Sequence, residues 1–283
     1  MTKITEAQLK SLYDYEAGNV LVRERLLDAA DAPDSLLLFL ARYTNWNGYF
    51  GSGVASLAGK IGRARGLFMS ADSDIRVIAD RSVLVASYFF DAARDEFDDR
   101  ETLHRDTHRC LAQAMLLGVV NYGRGQGFAD WQDHQLDALA ATPLWLSALN
   151  ERVALGYGKG SGDTLPVLFR AMGYHVGSEV LADQEFSVID ETLRSKQPEL
   201  LDYLENNVVK IGGEEHGCYQ WVGLHSGHGG GAEADHFQWA MQGVERAFSY
   251  VPSVTHSEVQ HQFELGYLDF SADHSEFFKQ VNN

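Results

Sequence analysis

The scarcity of proline is the feature that most constrains the fold of this chain. Its 283 residues include five prolines, and none lies between Pro33 and Pro143. Because proline ends or kinks a helix, this long interval can hold continuous helices. Apolar residues recur there at steps of three and four, whereas a half-buried strand would alternate apolar and polar residues. These patterns predict an all-α fold.

The predicted helices cover most of the chain, with boundaries uncertain by about 2–4 residues. They lie at roughly 5–30, 34–47, 52–68, 74–95, 98–120, 131–141, 143–156, 164–195, 197–210, 214–225, 232–250 and 255–267, and we expect a short helix or a frayed end at 271–283.

Glycine-rich segments interrupt the helical pattern at 121–127 and 156–162. Neither of them has the spacing of a phosphate-binding loop. The sequence has no internal repeat and no low-complexity linker, so we expect one helical domain spanning residues 1–283. The segment at about 121–163 is interpreted as an elaborated connection within that domain.

The charge of the chain argues against some classes of partner. Its formal net charge is −17, which repels phosphate backbones and anionic lipids. No apolar run reaches the roughly 18 residues of a membrane span, and the N-terminus has no apolar signal core. We expect a cytoplasmic protein that acts on a small molecule and has neither a nucleic-acid nor a membrane partner.

Two cysteines and several histidines receive simple structural interpretations. Cys110 and Cys218 are the only cysteines; they form no disulfide framework and no CxxC metal motif, so each is expected to be a small buried apolar group. Five histidines lie in polar or charged segments and are expected to be solvated. These are His134, His216, His256, His261 and His274.

Polar residues interrupt the apolar line of the predicted helix 98–120. Steps of three and four place a carboxylate and two imidazoles on the line that should face the core. Burying such groups without a partner is costly, so a metal, an ion pair or water should compensate them. Glu96 and Asp98 lie within reach but off this line. The line consists of Phe97, Glu101, His104, His108, Leu111 and Met115.

Two later segments show the same interruption. In 164–195, His175 and Glu179 lie four residues apart on an apolar line that runs from Leu168 through Met172, Ala182 and Phe186 to Ile189. In 232–250, Glu233 and His236 have the i, i+3 spacing that directs two side chains to one point. His225 and His228 stand just upstream of that pair.

Carboxylates and imidazoles carried inward on separate helices are typical of a dinuclear non-haem iron site. A single histidine on an apolar face is more often a hydrogen-bonded core residue, and one Glu-x-x-His is a weak signal. Three such segments in one helical chain favour the metal hypothesis.

In the order of these residues, the chain resembles the haem-oxygenase-like di-iron oxidases and oxygenases. That family carries a Glu and a His on one helix, a lone Glu on a later helix, and then a His-x-x-x-Asp/Glu-x-x-His array. Glu101 and His108 match the first pair, Glu179 matches the lone Glu, and Glu233 with His236 matches the end of the array. The resemblance covers roughly residues 75–250.

The leading histidine of the array departs from the family pattern. Gly229 stands at its position, four residues before Glu233. His225 is favoured as the substitute because it ends the apolar segment WVGLH, and His228 is the alternative. His104 is likewise an alternative to His108, because some relatives use a shorter spacing between Glu and His.

The resemblance implies a bundle of about seven core helices, often homodimeric, that binds two ferrous ions (Fe2+) and uses dioxygen as co-substrate. The reaction expected is C–C cleavage, desaturation or N-oxygenation of an amine, an amino acid or a fatty acid. Glu101 and Glu179 would bridge the irons, and His175 would support Glu179 or contact the substrate. Phe97, Met172 and Phe186 would help exclude water. The terminal ligands would be His108, His236, Glu233 and one of His225 and His228.

Two alternatives remain open at this stage. The first is a metal-free enzyme on the same architecture, thiaminase-II-like or cofactor-forming, for which Cys110 is the candidate nucleophile although it points off the core line. The second is a non-enzymatic helical binding protein whose buried Glu and His side chains pair with Arg94 or Arg170.

Overall fold

The structure is a computed structural model that describes residues 4–98, 106–128, 131, 136–137, 141–226 and 232–283; for Asp183 and residues 232–235 it describes the backbone alone. Several predicted positions therefore lie outside the described residues. They are Glu101, His104, His134, His228, the side chain of Glu233 and most of the predicted helix at 131–141.

The all-α prediction is confirmed, since nearly all the described regular structure is helical. The helices are α1 (Glu6–Leu12), α2 (Tyr15–Ala30), α3 (Pro33–Asn47), α4 (Phe50–Arg63), α5 (Arg76–Ala79), α6 (Ser82–Phe97), α7 (His108–Gly125), α8 (Leu144–Gly156), α9 (Leu165–Lys196), α10 (Pro198–Asn206), α11 (Gln220–His225), α12 (Ala232–Ser249) and α13 (His256–Gln280).

Helix α9 is the central element of the fold. It spans 32 residues, begins after Thr164 with Pro166 in its first turn, and packs along α13, α2 and α12. Contact with α13 is close because glycines face backbone on both sides. A Cβ on Gly173 would lie 1.9 Å from the Phe263 carbonyl oxygen, and one on Gly266 would lie 1.8 Å from the Arg170 carbonyl oxygen.

The buried apolar residues form a continuous cluster from Ile4 to Val281. Aromatic rings dominate it on one side of α9, where the indole of Trp46 stacks on Phe277 with ring centroids 4.3 Å apart. Trp46 also faces Phe270 and Phe50 at 6.1 and 5.1 Å. Among the described residues, no helix combines the length and apolar character needed to cross a membrane.

A β-hairpin replaces part of two predicted helices. Strands β1 (Val208–Ile211) and β2 (Glu214–Gly217) pair antiparallel, so the predictions of helix at 207–210 and 214–217 are wrong. Gly212 and Gly213 form the turn with φ of 63° and 99°, a conformation that other residues rarely adopt. His216 lies on the inner side of β2 with 4% of its surface exposed, not solvated as predicted.

Helix α13 is longer than predicted, because it continues without a break from His256 to Gln280. The apolar face of this helix carries His274, which is fully buried, so its predicted solvation is also wrong. His261 is exposed, as predicted. Charged neighbours in the sequence hid the spacing of the buried residues Phe263, Phe270 and Phe277.

Candidate metal centre

Two adjacent carboxylates, Asp95 and Glu96, lie in the last turn of α6. The buried residues Val85, Phe89 and Ala92 precede Glu96 at helical spacing, so α6 carries its carboxylate to the edge of the core. The side chains of Asp95 and Glu96 are 22% and 23% exposed. Glu96, which the sequence analysis placed off the apolar line, therefore lies at the edge of the core.

Phe97 does not belong to that line. It ends α6 with 54% of its surface exposed and lines the outer cavity described below, so its role in excluding water stays a prediction. The predicted continuous helix 98–120 is wrong, since α7 begins at His108 after Thr107, whose extended backbone and side-chain oxygen cap the helix by accepting the Cys110 N–H at 3.0 Å.

His108, the first residue of α7, is buried and faces Glu96. Its Nδ1 lies 3.2 Å from Glu96 Oε2, and 4% of the residue is exposed. Leu111 and Met115 continue from it as core residues, as predicted. The described carboxylate partner of His108 therefore comes from the preceding helix.

Helix α9 contributes His175 and Glu179, one turn apart. His175 is fully buried, and its Nδ1 lies 3.2 Å from Glu179 Oε1 and 3.2 Å from the Tyr157 hydroxyl. Ser178 Oγ donates to the His175 carbonyl at 2.7 Å and lies 3.2 Å from the same hydroxyl. A consistent donor assignment has Tyr157 donating to Ser178 and His175 Nδ1–H donating to Glu179. The prediction that His175 supports Glu179 agrees with this contact.

Tyr157 remains protonated in this environment. Complete burial of the phenol raises its pKa well above the ordinary value, and the negative charge of Glu179 raises the pKa further. The Tyr157 hydroxyl is therefore a fixed proton donor beside the His175 and Glu179 pair.

His225 and His236 approach the same point from α11 and α12. His225 donates Nδ1–H to the Trp221 carbonyl at 2.6 Å, which leaves the lone pair on Nε2. Its ring lies 4.4 Å from that of His108. His236 lies between two carboxylates, with Nε2 2.9 Å from Asp95 Oδ2 and Nδ1 3.6 Å from Glu179 Oε2.

The structure thus brings four predicted ligands together and adds two carboxylates. His108, Glu179, His225 and His236 meet within one cluster, with His175 behind Glu179. Asp95 was not predicted. The choices between His225 and His228 and between His108 and His104 stay predictions, because one member of each pair lies outside the described residues.

A second buried polar network lies next to this cluster. Glu185, two turns beyond Glu179 on α9, accepts from the Tyr43 hydroxyl at 2.6 Å and from His274 Nε2–H at 2.8 Å. Glu185 is 3% exposed and His274 is fully buried. The sequence interpretation missed both, although each continues the apolar spacing of its helix.

Two cavities reach the cluster. The inner one, of about 30 Å³, is bounded by Glu96, His108, Glu179 and Glu185 and by aromatic side chains that include Phe186. The outer one, of about 210 Å³, shares Asn47, Glu96 and His108 with it. The remaining residues that line the outer cavity include Thr44, Ser52, Phe97, Thr107 and Arg109.

The arginines suggested as partners of the buried groups form ion pairs elsewhere. Arg94 lies 3.3 Å from Asp91 in the preceding turn of α6. Arg170 pairs with Asp269 of α13 at 2.7 Å. These contacts give no support to an arginine-compensated core.

Comparisons of the chain with protein-family models, with curated proteins and with solved structures gave no match. The assignment of a function therefore depends on the side chains themselves.

Proposed function

We propose that the protein is a non-haem di-iron oxidase or oxygenase that uses dioxygen to act on a small molecule. One observation carries the proposal. Buried imidazoles from α7, α11 and α12 and partly buried carboxylates from α6 and α9 lie in one connected cluster of contacts. The haem-oxygenase-like architecture, the homodimer and the enzyme class expected from the motif order belong to the same proposal.

The donor set fits iron. Carboxylate oxygens and imidazole nitrogens are the ligands of non-haem iron sites, and a ligating histidine commonly donates its other N–H to a backbone carbonyl. His225 has that arrangement, because its Nδ1–H is held by Trp221 O at 2.6 Å. His108 and His236 lie beside Glu96 and Asp95. Glu179 lies between His175 and His236 and would be one of the residues that hold the ions.

When bound, two ferrous ions would supply the electrons that activate dioxygen and the open coordination positions that receive it. His175 would hold Glu179 in place through the Nδ1–H···Oε1 contact of 3.2 Å. The Tyr157 hydroxyl lies 3.2 Å from His175 Nδ1 and limits rotation of the ring.

The surrounding residues would keep bulk water away from the oxidant. Phe186 stacks on His225 with ring centroids 4.6 Å apart, and Trp221 packs on Phe186 at 5.2 Å. Met172, one turn before His175, is fully buried. The predicted shielding roles of Met172 and Phe186 are consistent with these positions, since a dry site protects a reactive intermediate from side reactions.

Glu185 joins the second polar network to the inner cavity. Its carboxylate lines that cavity and accepts hydrogen bonds from Tyr43 and His274.

The outer cavity is the proposed path of the substrate. A charged residue in the wall of this cavity favours one class of substrate. Arg109, at that wall, donates one N–H to the Thr44 carbonyl at 2.7 Å. A guanidinium binds carboxylates well, so the cavity favours an amino acid or a fatty acid over a simple amine. Arg109→Gln should raise KM for a carboxylate substrate and leave kcat nearly unchanged.

The metal-free alternative depends on Cys110 as a nucleophile. Burial raises the pKa of the Cys110 thiol, and the charge of Asp106 raises it further. A raised pKa disfavours the thiolate that performs nucleophilic attack. The di-iron proposal does not need this thiol.

Iron quantitation after anaerobic loading with ferrous ion, followed by optical spectra and oxygen consumption on mixing with dioxygen, tests the proposal. We expect about two irons per chain and oxygen uptake. Glu179→Ala should lose both and keep a helical circular dichroism spectrum. Glu191→Ala is the matched control, because Glu191 lies on the same helix and is paired with Arg23 at the surface. Retention of iron by Glu179→Ala would contradict the assignment.

A further inference from the structure

Three chemically different side chains meet outside the candidate metal centre, where the first turn of α7 faces β2. Asp106 precedes the helix, Cys110 lies in its first turn, and His216 projects from the hairpin. Asp106 and His216 are 7% and 4% exposed, and Cys110 is partly exposed. The expectation that Cys110 is an ordinary buried apolar residue is therefore wrong.

The distances between their atoms approach those of a tetrahedral metal site. His216 Nδ1 lies 2.9 Å from Asp106 Oδ1, and Cys110 Sγ lies 3.8 Å from the same nitrogen and 3.5 Å from Nε2. Zinc bonds of about 2.3 Å to sulfur and about 2.0–2.2 Å to nitrogen and oxygen give tetrahedral edges of about 3.3–3.6 Å. The two contacts to Nδ1 differ from these edges by about half an ångström or less, and rotation of the Cys110 side chain would bring its sulfur to the Nδ1 side of the ring.

The imidazole can present a lone pair to a metal. His216 Nε2 lies 3.3 Å from the Ile211 carbonyl oxygen and 3.5 Å from Cys110 Sγ. In the tautomer in which Nε2–H donates to that carbonyl, the lone pair of Nδ1 faces the Asp106 carboxylate at 2.9 Å, where a metal ion would join the two groups. The Ile211 carbonyl would then accept a hydrogen bond from the ring nitrogen that does not bind the metal, as is common for metal-bound histidines.

We propose that Asp106, Cys110 and His216 bind a zinc ion, with water as the fourth ligand. Binding displaces the thiol proton and any proton on Nδ1, so the site gains a thiolate, a neutral imidazole and a carboxylate. The thiolate distinguishes this site chemically from the proposed iron site, because sulfur ligands favour zinc over metals that prefer oxygen ligands.

The position of the site gives the ion a structural role. It would tie the β1–β2 hairpin to the start of α7, where His108 is the second residue after Asp106. The proposal does not depend on the iron hypothesis, since none of the three ligands belongs to the iron cluster.

Cobalt titration of the metal-free wild-type protein is the direct test. Cobalt bound through a thiolate gives a sulfur-to-metal charge-transfer band in the near ultraviolet, which an oxygen and nitrogen site cannot give. We expect the band to form, to be lost when zinc is added, and to be absent in Cys110→Ser. Cys218→Ser is the matched control, because its sulfur is buried elsewhere in the core, and it should keep the band.

The two metal proposals are separated by Glu179→Ala, which should lose iron and keep the cobalt band. If Cys110→Ser fails to fold, alkylation of the wild-type protein provides the second measurement. Zinc should protect one thiol from iodoacetamide in the native state. Failure to form the band at saturating cobalt, its persistence in Cys110→Ser, or unchanged alkylation with zinc would each overturn the zinc site.

Discussion

Two buried clusters of the same residue types lie side by side along α9 and differ in what completes them. In the Glu185 network, Tyr43 and His274 each donate one hydrogen bond to one carboxylate, so protons alone satisfy that carboxylate, whereas His274 Nδ1 has no hydrogen-bond partner among the described residues. In the candidate metal centre, His236 has a carboxylate oxygen near each ring nitrogen, and His225 has its lone pair on Nε2. A buried Glu–His contact therefore does not by itself indicate a ligand set.

The difference is one of stoichiometry. Glu185 and His274 form one carboxylate–imidazole pair with a phenol as second donor. The candidate metal centre gathers three carboxylates and four imidazoles, so three imidazoles would have to be protonated to neutralise the carboxylates. Two divalent cations would balance it, since carboxylates and imidazoles supply the charge and donors that such ions require.

The largest expected effect is on stability. His274→Ala leaves Glu185 with a single donor in a dry environment, and removal of one partner from a buried pair costs about 3–5 kcal/mol. Urea unfolding should show this loss in the free energy of unfolding. His261→Ala, on the exposed side of the same helix, is the control and should change little. Equal effects of the two changes would show that the network is not structural.

A matched pair of isosteric changes on α9 should separate the two clusters. Glu179→Gln removes a ligand charge, so we expect iron affinity to fall by about 100-fold or more, beyond the 10–100-fold typical of a supporting residue. Glu185→Gln should keep iron and lose about 1–3 kcal/mol of stability, because the amide presents one acceptor oxygen to two donors. Iron titration and urea unfolding of both variants measure the contrast. The reverse pattern would exchange the roles assigned to the two clusters.

Substitution of His175 tests whether this residue affects iron binding through its contact with Glu179. His175→Phe keeps a ring in the buried site but removes the donor to Glu179, so iron affinity should fall by about 10–100-fold. Met172→Leu, one turn earlier, is the packing control and should retain iron. His175→Asn, which restores a donor, should recover part of the affinity. Full iron affinity in His175→Phe would limit His175 to packing.

The sequence predicted the helices more completely than the site, for physical reasons that particular residues make clear. The line from Leu168 to Ile189 lies within one unbroken helix, so its period of 3.6 placed His175 and Glu179 on the inner face. The line from Phe97 to Met115 crosses a helix end at Thr107. Steps of three and four across that end do not place residues on one helix face. Helical spacing predicts which residues share a face only within one continuous helix.

Long-range pairing explains the remaining errors. The hairpin that buries His216 is fixed by Gly212 and Gly213 and by pairing of short strands, and neither has a helical signature. Asp95 and Glu96 join the cluster because α6, α9 and α12 pack together, which no local pattern encodes. The burial of His274 could have been predicted from its spacing to Phe270 and Phe277.

A third buried pair, Tyr219 with Asp190, extends the comparison to a network outside the candidate metal centre and gives the smallest predicted effect. The phenol donates to Asp190 Oδ1 at 2.6 Å, and Arg194 holds the other oxygen at 2.8 Å. Burial, followed by the hydrogen bond to Asp190, raises the pKa of Tyr219. Because the folded-state pKa exceeds the unfolded value of about 10, this contribution to stability is complete below about pH 10 and decreases as the pH rises further.

Tyr219→Phe should therefore lower the free energy of unfolding at neutral pH by about 1 kcal/mol, the usual net value of a hydrogen bond. It should also reduce the decline of stability above about pH 10, where the wild-type phenol must remain protonated to stay folded. Urea unfolding at a series of alkaline pH values measures both effects. Parallel pH profiles of the two proteins would mean that Tyr219 ionises as readily in the folded chain as in the unfolded one, and the pair would then not be held together by its proton.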